Sequence, residues 1–223
     1  MNQNNLIKFN EHRLVNFKGN DFYVYNIKNI DHWISYCIIN GIGWEEEQMD
    51  LIINDYSDKK SNMLDIGGDI GTWSIGLSKH FNKVITFEPN IDHYNTILKN
   101  IEINKIDNIE TYNKACSSDI GKCNMITIHQ NTVNTNEDGE IDMVKLDDFI
   151  NDEISFIKID VEGHEFEVLK GCKNIILKNK PIIYLETHPN PINCPKINSE
   201  NFLEELGYKK IKTFDTLNSF WKI

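Results

Sequence analysis

Short apolar runs alternate with longer amphipathic stretches from residue 62 to the end of the sequence. The stretches predict four helices, at about 70–80, 90–103, 164–178 and 198–206. The apolar runs predict seven strands, at 62–66, 83–87, 109–113, 155–160, 181–187, 208–213 and 218–223. Strands that alternate with helices are typical of a doubly wound α/β fold with a mostly parallel sheet. We expect the last two strands to close this sheet as an antiparallel pair.

The first 60 residues have a different pattern. Short β-like runs predict a small hairpin or meander, at 6–9, 13–17 and 21–25. Apolar positions in 44–55 then predict a helix that enters the main domain. We therefore expect a small N-terminal β/α extension at 1–60, which would cover a binding site, and a main domain at 61–223.

A second interruption lies between the third and fourth strands of the main domain. Two further β-like runs, at 123–129 and 142–145, predict an inserted hairpin. The residues between them, 131–140, are polar, and we expect them to form a mobile loop tip.

A glycine-rich turn, Asp65-Ile66-Gly67-Gly68-Asp69-Ile70-Gly71, follows the first strand of the main domain. Glycine permits a tight turn and the close approach of a ligand to the backbone. The helix that follows directs unpaired N–H groups toward that ligand. Glu88 ends the next strand about twenty residues later, where a carboxylate can hold the hydroxyls of a ribose. The sequence therefore predicts a pocket for a nucleoside-containing cofactor.

The spacing of the turn distinguishes between such cofactors. Its glycines follow the pattern GxxxG behind an aspartate, whereas the nicotinamide fingerprint GxGxxG packs around a pyrophosphate. A carboxylate at Asp65 would repel a pyrophosphate but would suit the ammonium group of the methionine moiety of S-adenosylmethionine. A nicotinamide-dependent oxidoreductase is therefore the less favoured alternative.

Composition restricts the partners and the compartment. The chain has 34 acidic and 23 basic residues and a net charge of −11, which argues against a nucleic-acid partner. Its five cysteines are scattered and never spaced as CxxC, a pattern that favours reduced thiols over a disulfide framework or a zinc cluster. Without a signal-like N-terminus or a run of eighteen apolar residues, we expect a cytoplasmic protein with no membrane contact.

The run Ile157-Lys158-Ile159-Asp160-Val161-Glu162-Gly163-His164-Glu165 closely resembles the signature of the FkbM family of S-adenosylmethionine-dependent methyltransferases. The resemblance covers roughly residues 45–190. Further agreement lies at Val168-Leu169-Lys170-Gly171, Phe87-Glu88-Pro89-Asn90, Asn100, Asn104, Lys145-Leu146-Asp147-Asp148 and Leu185-Glu186-Thr187-His188. The sequence departs from the family at Gly68-Asp69, where Ala-Asn is more common, and a carboxylate cannot donate a hydrogen bond as an amide does.

This resemblance implies the class I methyltransferase fold, with a Rossmann-like seven-stranded sheet and S-adenosylmethionine bound across the carboxyl ends of its strands. The implied reaction is O-methylation of a hydroxyl on a sugar, a glycan or another small molecule. The implied cofactor-binding residues are Asp65, Gly67, Gly68, Asp69, Gly71, Glu88, Asn113 and Ala115. Adenine would lie near the last two, beside Lys114.

The acceptor side would use residues at the ends of the fourth and fifth strands of the main domain. The carboxyl ends of neighbouring parallel strands meet at one crevice, so their side chains are expected to converge there. The candidate catalytic residues are Asp160, His164, Glu186 and His188. A neutral histidine can take up the acceptor's proton near pH 7. Alternatively, Asp160, Glu186 and one histidine would hold a divalent metal that lowers the pKa of the hydroxyl, an arrangement we do not favour. A non-catalytic cofactor-binding or assembly protein is the alternative from another class.

Overall fold

The computed structural model describes residues 12–25, 32–127, 131–135, 139–188 and 196–223. Its strands are β1 (His12–Phe17), β2 (Asn20–Tyr25), β3 (Asn62–Ile66), β4 (Lys83–Phe87), β5 (Ile109–Tyr112), β6 (Ala115–Cys116), β7 (Gly121–Thr127), β8 (Asn131–Thr135), β9 (Ile141–Val144), β10 (Ile154–Ile159), β11 (Ile182–Glu186), β12 (Lys209–Thr213) and β13 (Asn218–Lys222). Its helices are α1 (Trp33–Asn40), α2 (Glu46–Leu51), α3 (Thr72–Leu77), α4 (Ile91–Asn104), α5 (Leu146–Phe149), α6 (Glu165–Gly171), α7 (Lys173–Asn179) and α8 (Lys196–Glu205).

Seven of these strands form one sheet in the order β12-β13-β11-β10-β3-β4-β5. The five strands from β11 to β5 are parallel, and β13 joins them antiparallel to both β11 and β12. The mostly parallel, doubly wound sheet and its closing antiparallel pair are therefore confirmed. Its strand order changes direction between β3 and β10, and the carboxyl ends of such strands border the usual ligand crevice of this architecture.

Both faces of the sheet are covered by apolar packing. Successive side chains of a strand point to opposite faces, so Leu64 lies in one buried cluster and Met63 in the other. Residues from α5 to α8 pack in the first cluster, and residues from α1 to α3 pack in the second. This two-sided burial explains why the central strands are nearly continuous apolar runs in the sequence.

Two predicted helices differ from the structure, one at its start and the other by a break in its middle. The helix predicted at 70–80 begins only at Thr72, because Gly71 precedes it with a φ of +90°. The helix predicted at 164–178 is divided into α6 and α7 at Cys172. A Cβ at Gly171 would lie 2.0 Å from the carbonyl oxygen of Ser117, so the chain passes this point in close backbone contact. The carboxylate of Asp147 then accepts the N–H groups of Asn174 and Ile175, both at 3.0 Å, and caps α7.

The insertion is a sheet of four strands rather than a hairpin with a loop tip. Its order is β6-β9-β7-β8, and the expected antiparallel pairing of β7 with β9 is confirmed. The expectation of a loop at 131–135 is wrong, since these residues form β8 and pair with β7. The segment is polar, but Thr132, Val133 and Thr135 are β-branched, a residue type that favours strands. Residues 136–138 of the predicted tip lie outside the described residues.

The N-terminal hairpin of β1 and β2 docks on α4 through two asparagines. Asn100 accepts the N–H of Tyr23 at 2.6 Å and donates to the carbonyl of Ile70 in the glycine turn at 2.8 Å. Asn104 accepts the N–H of Asp21 at 2.9 Å and donates to its carbonyl at 2.6 Å. The two predicted runs at 13–17 and 21–25 are thus confirmed as strands, while the run at 6–9 lies outside the described residues.

The helix predicted at 44–55 is present as α2, followed by a turn of π-helix at Ile52–Tyr56. Helix α1 was not predicted. No helix in the described ranges is long and apolar enough to cross a membrane.

Candidate active site

A cavity of about 600 Å³, its open mouth included, lies at the carboxyl ends of β3, β4 and β10. This size suits a nucleoside-containing molecule. The residues that line it are Ile66, Gly67, Asp69, Phe87, Glu88, Pro89, His93, Lys114, Ala115, Cys116, Met125, Asp160, Val161, Glu162 and His164. Four of the predicted donor residues and two of the predicted catalytic residues, Asp160 and His164, thus line one cavity, whereas Glu186 and His188 do not line it.

The glycine turn is fixed by the close approach of neighbouring strands. Gly67 has a φ of +80°, and a Cβ there would lie 1.7 Å from the carbonyl oxygen of Asp160. A Cβ at Gly68 would lie 2.4 Å from the hydroxyl of Thr86. Both glycines donate their N–H groups to the carbonyl of Phe87, at 2.9 and 3.1 Å. Only glycine fits these two positions without displacing the ends of β4 and β10.

Asp65 lies beneath the turn and is fully buried. Its carboxylate accepts the hydroxyl of Ser74 at 2.5 Å and lies 3.5 Å from the ammonium of Lys158. It is not one of the residues that line the cavity. The ammonium group paired with Asp65 in this structure therefore belongs to the chain itself.

Glu88 lies at the end of β4 and lines the cavity while only 6% exposed. Its two oxygens accept the backbone N–H groups of Asp69 and Asn90, both at 2.8 Å. Burial and the nearby charge of Asp69 raise the pKa of Glu88 to about 8. Asn113 supports this corner from behind, because its amide donates to the carbonyls of Glu88 and Pro89. Ala115 lines the cavity, whereas Asn113 does not.

Asp69 holds two histidines that the sequence patterns did not single out. His32 Nε2 lies 2.9 Å and His93 Nδ1 3.5 Å from Asp69 Oδ1. Burial raises the pKa of Asp69, but the two histidines together lower it by more, so the pKa stays below its ordinary value. His32 Nδ1 accepts the N–H of Ser35 at the start of α1, so in the neutral ring Nε2 carries the proton that is donated to Asp69.

A cluster of acids surrounds His188 at the ends of β10 and β11. Its Nε2 lies 3.2 Å from Glu186, 3.3 Å from Glu162 and 3.9 Å from Asp160. Burial lowers the pKa of His188, but the carboxylates together raise it by more, so that it reaches about 9. Burial raises the pKa of Asp160 above its ordinary value and that of Glu162 to about 7. The structure thus brings Asp160, Glu186 and His188 together, as the strand order predicts.

His164 faces the cavity from the start of α6. It is 7% exposed, and its Nε2 lies 3.0 Å from the hydroxyl of Ser117. Burial lowers the pKa of His164 below its ordinary value, which keeps the imidazole neutral near pH 7. His164 and His188 therefore differ in charge.

Among the described residues, three acids adopt a left-handed backbone, which is uncommon outside glycine. They are Glu45, Asp69 and Glu162, with φ between +47° and +54°. The last two line the cavity, and Glu45 accepts hydrogen bonds from the indole of Trp73 and the hydroxyl of Tyr184. Burial, with Asp160 and Glu186 nearby, raises the pKa of Glu45 to about 7. Lys18, Lys105 and Lys180 share this backbone in a turn and at the ends of α4 and α7, so the conformation alone does not mark a functional site.

Two groups in the described part of the chain bring three potential metal-ligand atoms within 4.8 Å of one another. They are His32, Asp69 and His93, and Asp160, Glu186 and His188. A metal in the first group would have to displace the Nε2 proton that the hydrogen bond from Ser35 favours on His32, and in the second group the proton that the carboxylates hold on His188. A bound metal stays the unfavoured alternative of the sequence analysis, and Asp160, Glu186 and His188 are the residues that would hold it.

Glu88→Gln is expected to flatten the pH dependence of stability. Because the folded state holds the pKa of Glu88 at about 8, it binds more protons than the unfolded chain above pH 4.5, so stability falls as the pH rises toward 8. Glutamine does not titrate and removes this contribution. Urea unfolding at several pH values measures it, and an unchanged slope in the variant would contradict the environment assigned to Glu88.

Comparison with solved structures places the fold among methyltransferases. The methyltransferase FkbM from Methylobacillus flagellatus aligns with a TM-score of 0.54 at 20% identity, over 74% of this chain and 43% of its own. The tRNA m1G37 methyltransferase of M. jannaschii aligns with a TM-score of 0.53 at 12% identity, over 96% and 57%. A Streptococcus mutans protein solved in complex with SAH aligns with a TM-score of 0.50 at 12% identity, over 79% and 94%. A comparison with curated proteins gave no match.

The sheet order, the glycine turn and the cavity where the strand order changes direction define a Rossmann-like, class I methyltransferase fold. For this fold S-adenosylmethionine is the implied methyl donor. The model of the methyltransferase FkbM domain matches residues 65–210, more than half of the chain. The protein belongs to the FkbM methyltransferase family. The chain spans 43% of the length of the Methylobacillus relative.

Proposed function

We propose that this methyltransferase transfers the methyl group of S-adenosylmethionine to a hydroxyl oxygen of a sugar, a glycan or another small molecule. One observation carries the proposal: a single cavity joins the glycine turn and Glu88 to Asp160 and His164. The first pair suits a methionine moiety and a ribose. The second supplies groups that can hold a hydroxyl and take up its proton.

The donor half of the cavity would use the residues expected from the sequence in two ways. Gly67, Asp69, Glu88 and Ala115 line it and would contact the donor. Asp65, Gly68, Gly71 and Asn113 would act from behind, by fixing the turn and the corner at the end of β4. S-adenosylmethionine supplies, when bound, a methyl group activated by a sulfonium.

The reaction asks little covalent chemistry of the protein. In the proposed transfer the acceptor oxygen would form a bond to the methyl carbon, and the electron pair of the breaking carbon–sulfur bond would stay on sulfur. The proton of the hydroxyl goes to a base on the protein, which must hold the oxygen in line with the departing sulfur. The products are a methyl ether and S-adenosylhomocysteine.

The two histidines would take different parts in this step. His164 is neutral near pH 7 and can accept the proton, as can Asp160, whose pKa is raised toward the working range. His188, with a pKa of about 9, is a cation at pH 7 and cannot act as a base. It would instead orient Asp160 and Glu186 and reduce their mutual repulsion.

Asp160→Asn and His164→Ala are each expected to slow turnover by about 100-fold or more, since general-base catalysis contributes about 10²–10⁴. His164→Ala should spare donor binding, and Asp160→Asn should weaken it no more than several-fold. Calorimetry with S-adenosylhomocysteine measures donor binding. Transfer of labelled methyl to a panel of saccharides and small hydroxyl compounds, followed by mass spectrometry of the product ether, measures turnover. Asp107→Asn and His80→Ala make the same chemical changes away from the cavity and serve as controls. Turnover at the wild-type rate in both variants would refute the proton-transfer roles.

The same panel separates the proposal from its alternatives. RNA belongs in it, because the structural neighbours include tRNA and rRNA methylases, although such distant similarity shows the fold alone. The net charge of −11 and the acids at the cavity disfavour a polyanionic acceptor. Donor binding without methylation of any acceptor would favour a non-catalytic role, and binding of NADH instead would favour an oxidoreductase.

A further inference from the structure

Lys158 is a charged residue in the middle of an apolar strand. Its side chain is 4% exposed, and its neighbours Phe156, Ile157 and Ile159 in β10 are fully buried. Removing an ammonium from water costs several kcal/mol unless it is well paired. A position that served packing alone would carry an apolar side chain, as the rest of the strand does.

The partners of Lys158 come from both sides of the candidate site. On the donor side, Nζ donates to the carbonyl of Gly67 and lies 3.5 Å from Asp65 Oδ1. On the acceptor side, it lies 3.5 Å from Asp160 Oδ2. Register explains this position, because Lys158 pairs directly with Asp65 of β3 and precedes Asp160 by two residues.

The two sides also touch through their backbones. Asp160 donates its N–H to the carbonyl of Ile66 at 3.0 Å, and its own carbonyl occupies the space that a side chain at Gly67 would need. Burial lowers the pKa of Lys158, but Asp160 and Asp65 raise it further, so the group stays charged. A single buried cation therefore balances one carboxylate that is fully buried and one that faces the cavity.

We propose that Lys158 is a positioning residue, which couples the donor-binding turn to the carboxylate of Asp160 through one shared ammonium group. A movement of Gly67 on donor binding would then shift the ammonium group of Lys158, and this shift would change its interaction with the carboxylate of Asp160. The inference rests on the proposed function, since it assigns the turn to the donor and Asp160 to the acceptor side. It adds a residue to which the sequence motifs gave no role.

A double-mutant cycle on the full chain tests the coupling. The variants are Lys158→Met, Asp160→Asn and the combination, and the measurement is calorimetric affinity for S-adenosylhomocysteine. We expect Lys158→Met to weaken binding about tenfold and Asp160→Asn to weaken it several-fold. Because Lys158 acts through Asp160, the second substitution should add nothing in the Lys158→Met background.

The control is Lys99→Met, which removes an exposed lysine from its ion pair with Glu102 on α4 and should leave binding unchanged. Thermal melts of every variant separate stability from affinity. A role in stability alone would lower the melting temperature of Lys158→Met without changing its affinity, and that result would overturn the inference. Losses that multiply in the double variant would also overturn it.

Lys158→Met leaves Asp65 with an unbalanced buried charge, so a second background keeps the test decisive if this variant does not fold. Asp65→Asn combined with Lys158→Met removes the cation together with the charge beneath it. In that background Asp160→Asn should again have no further effect, whereas in Asp65→Asn alone it should weaken binding. A wild-type protein that does not bind S-adenosylhomocysteine would refute the proposed function itself, a result distinct from additive losses in a protein that binds.

Discussion

Gly67→Ala is expected to abolish binding of S-adenosylmethionine and to destabilise the fold by roughly 3 kcal/mol or more. The added Cβ would lie 1.7 Å from the carbonyl oxygen of Asp160, and neither backbone can yield without moving β3 against β10. The left-handed φ of +80° adds the strain of a side chain in that region. Urea unfolding measures the stability, and calorimetry measures the affinity.

Gly207→Ala is the matched control for this prediction. Gly207 has a φ of +88°, but a Cβ there would meet nothing within 4 Å. Its substitution should cost about 1 kcal/mol, from backbone strain alone, and leave donor binding unchanged. Equal effects of the two substitutions would mean that the contact between Gly67 and Asp160 does not constrain the site.

Asp65→Ala is expected to destabilise the protein by about 3 kcal/mol, because it removes a buried carboxylate and leaves Lys158 with less compensation. Asp65 is fully buried and also accepts a hydrogen bond from Ser74, so its loss leaves polar groups that water cannot reach. Combining it with Lys158→Met should restore part of the stability, since no uncompensated charge remains beneath the turn. Urea unfolding of the two variants gives both values.

Asp50→Ala provides the comparison with an exposed ion pair. Asp50 lies 2.6 Å from Lys18, yet its side chain is 57% exposed, and such pairs contribute at most about 1 kcal/mol. If Asp65→Ala lowers the free energy of unfolding by no more than Asp50→Ala does, the burial and pairing described for Asp65 are wrong. A double variant less stable than Asp65→Ala would contradict the proposed balance of charges.

The central sheet and the position of the candidate site at its edge could be predicted, because both follow from local sequence patterns. Strands β3, β4 and β10 are largely apolar runs that are followed directly by Gly67, Glu88 and Asp160. Neighbouring parallel strands bring the residues after their carboxyl ends together. The sequence analysis assigned Asp65 to the ammonium group of the cofactor. It could not show that Asp65 pairs with Lys158 instead, because this pairing depends on the register of two strands that are distant along the chain.

The contributions of His32 and Glu45 could not be predicted in the same way. Each comes from a segment before the first strand of the main domain. His32 lies in no predicted element, and Glu45 is a polar position of the helix predicted at 44–55, so no motif marked either of them. His32 reaches Asp69 across 37 residues, and Glu45 reaches Tyr184 across 139. Contacts of this kind follow from tertiary packing, which single-sequence patterns do not encode.

The acids with a left-handed backbone have a consequence for how this sequence can change. Glycine would relieve about 1–2 kcal/mol of strain at each of Glu45, Asp69 and Glu162. A search for stabilising substitutions would therefore favour glycine at these three positions. At Asp69 and Glu162 the exchange would remove carboxylates that line the cavity, so stability gained there would be lost from the site.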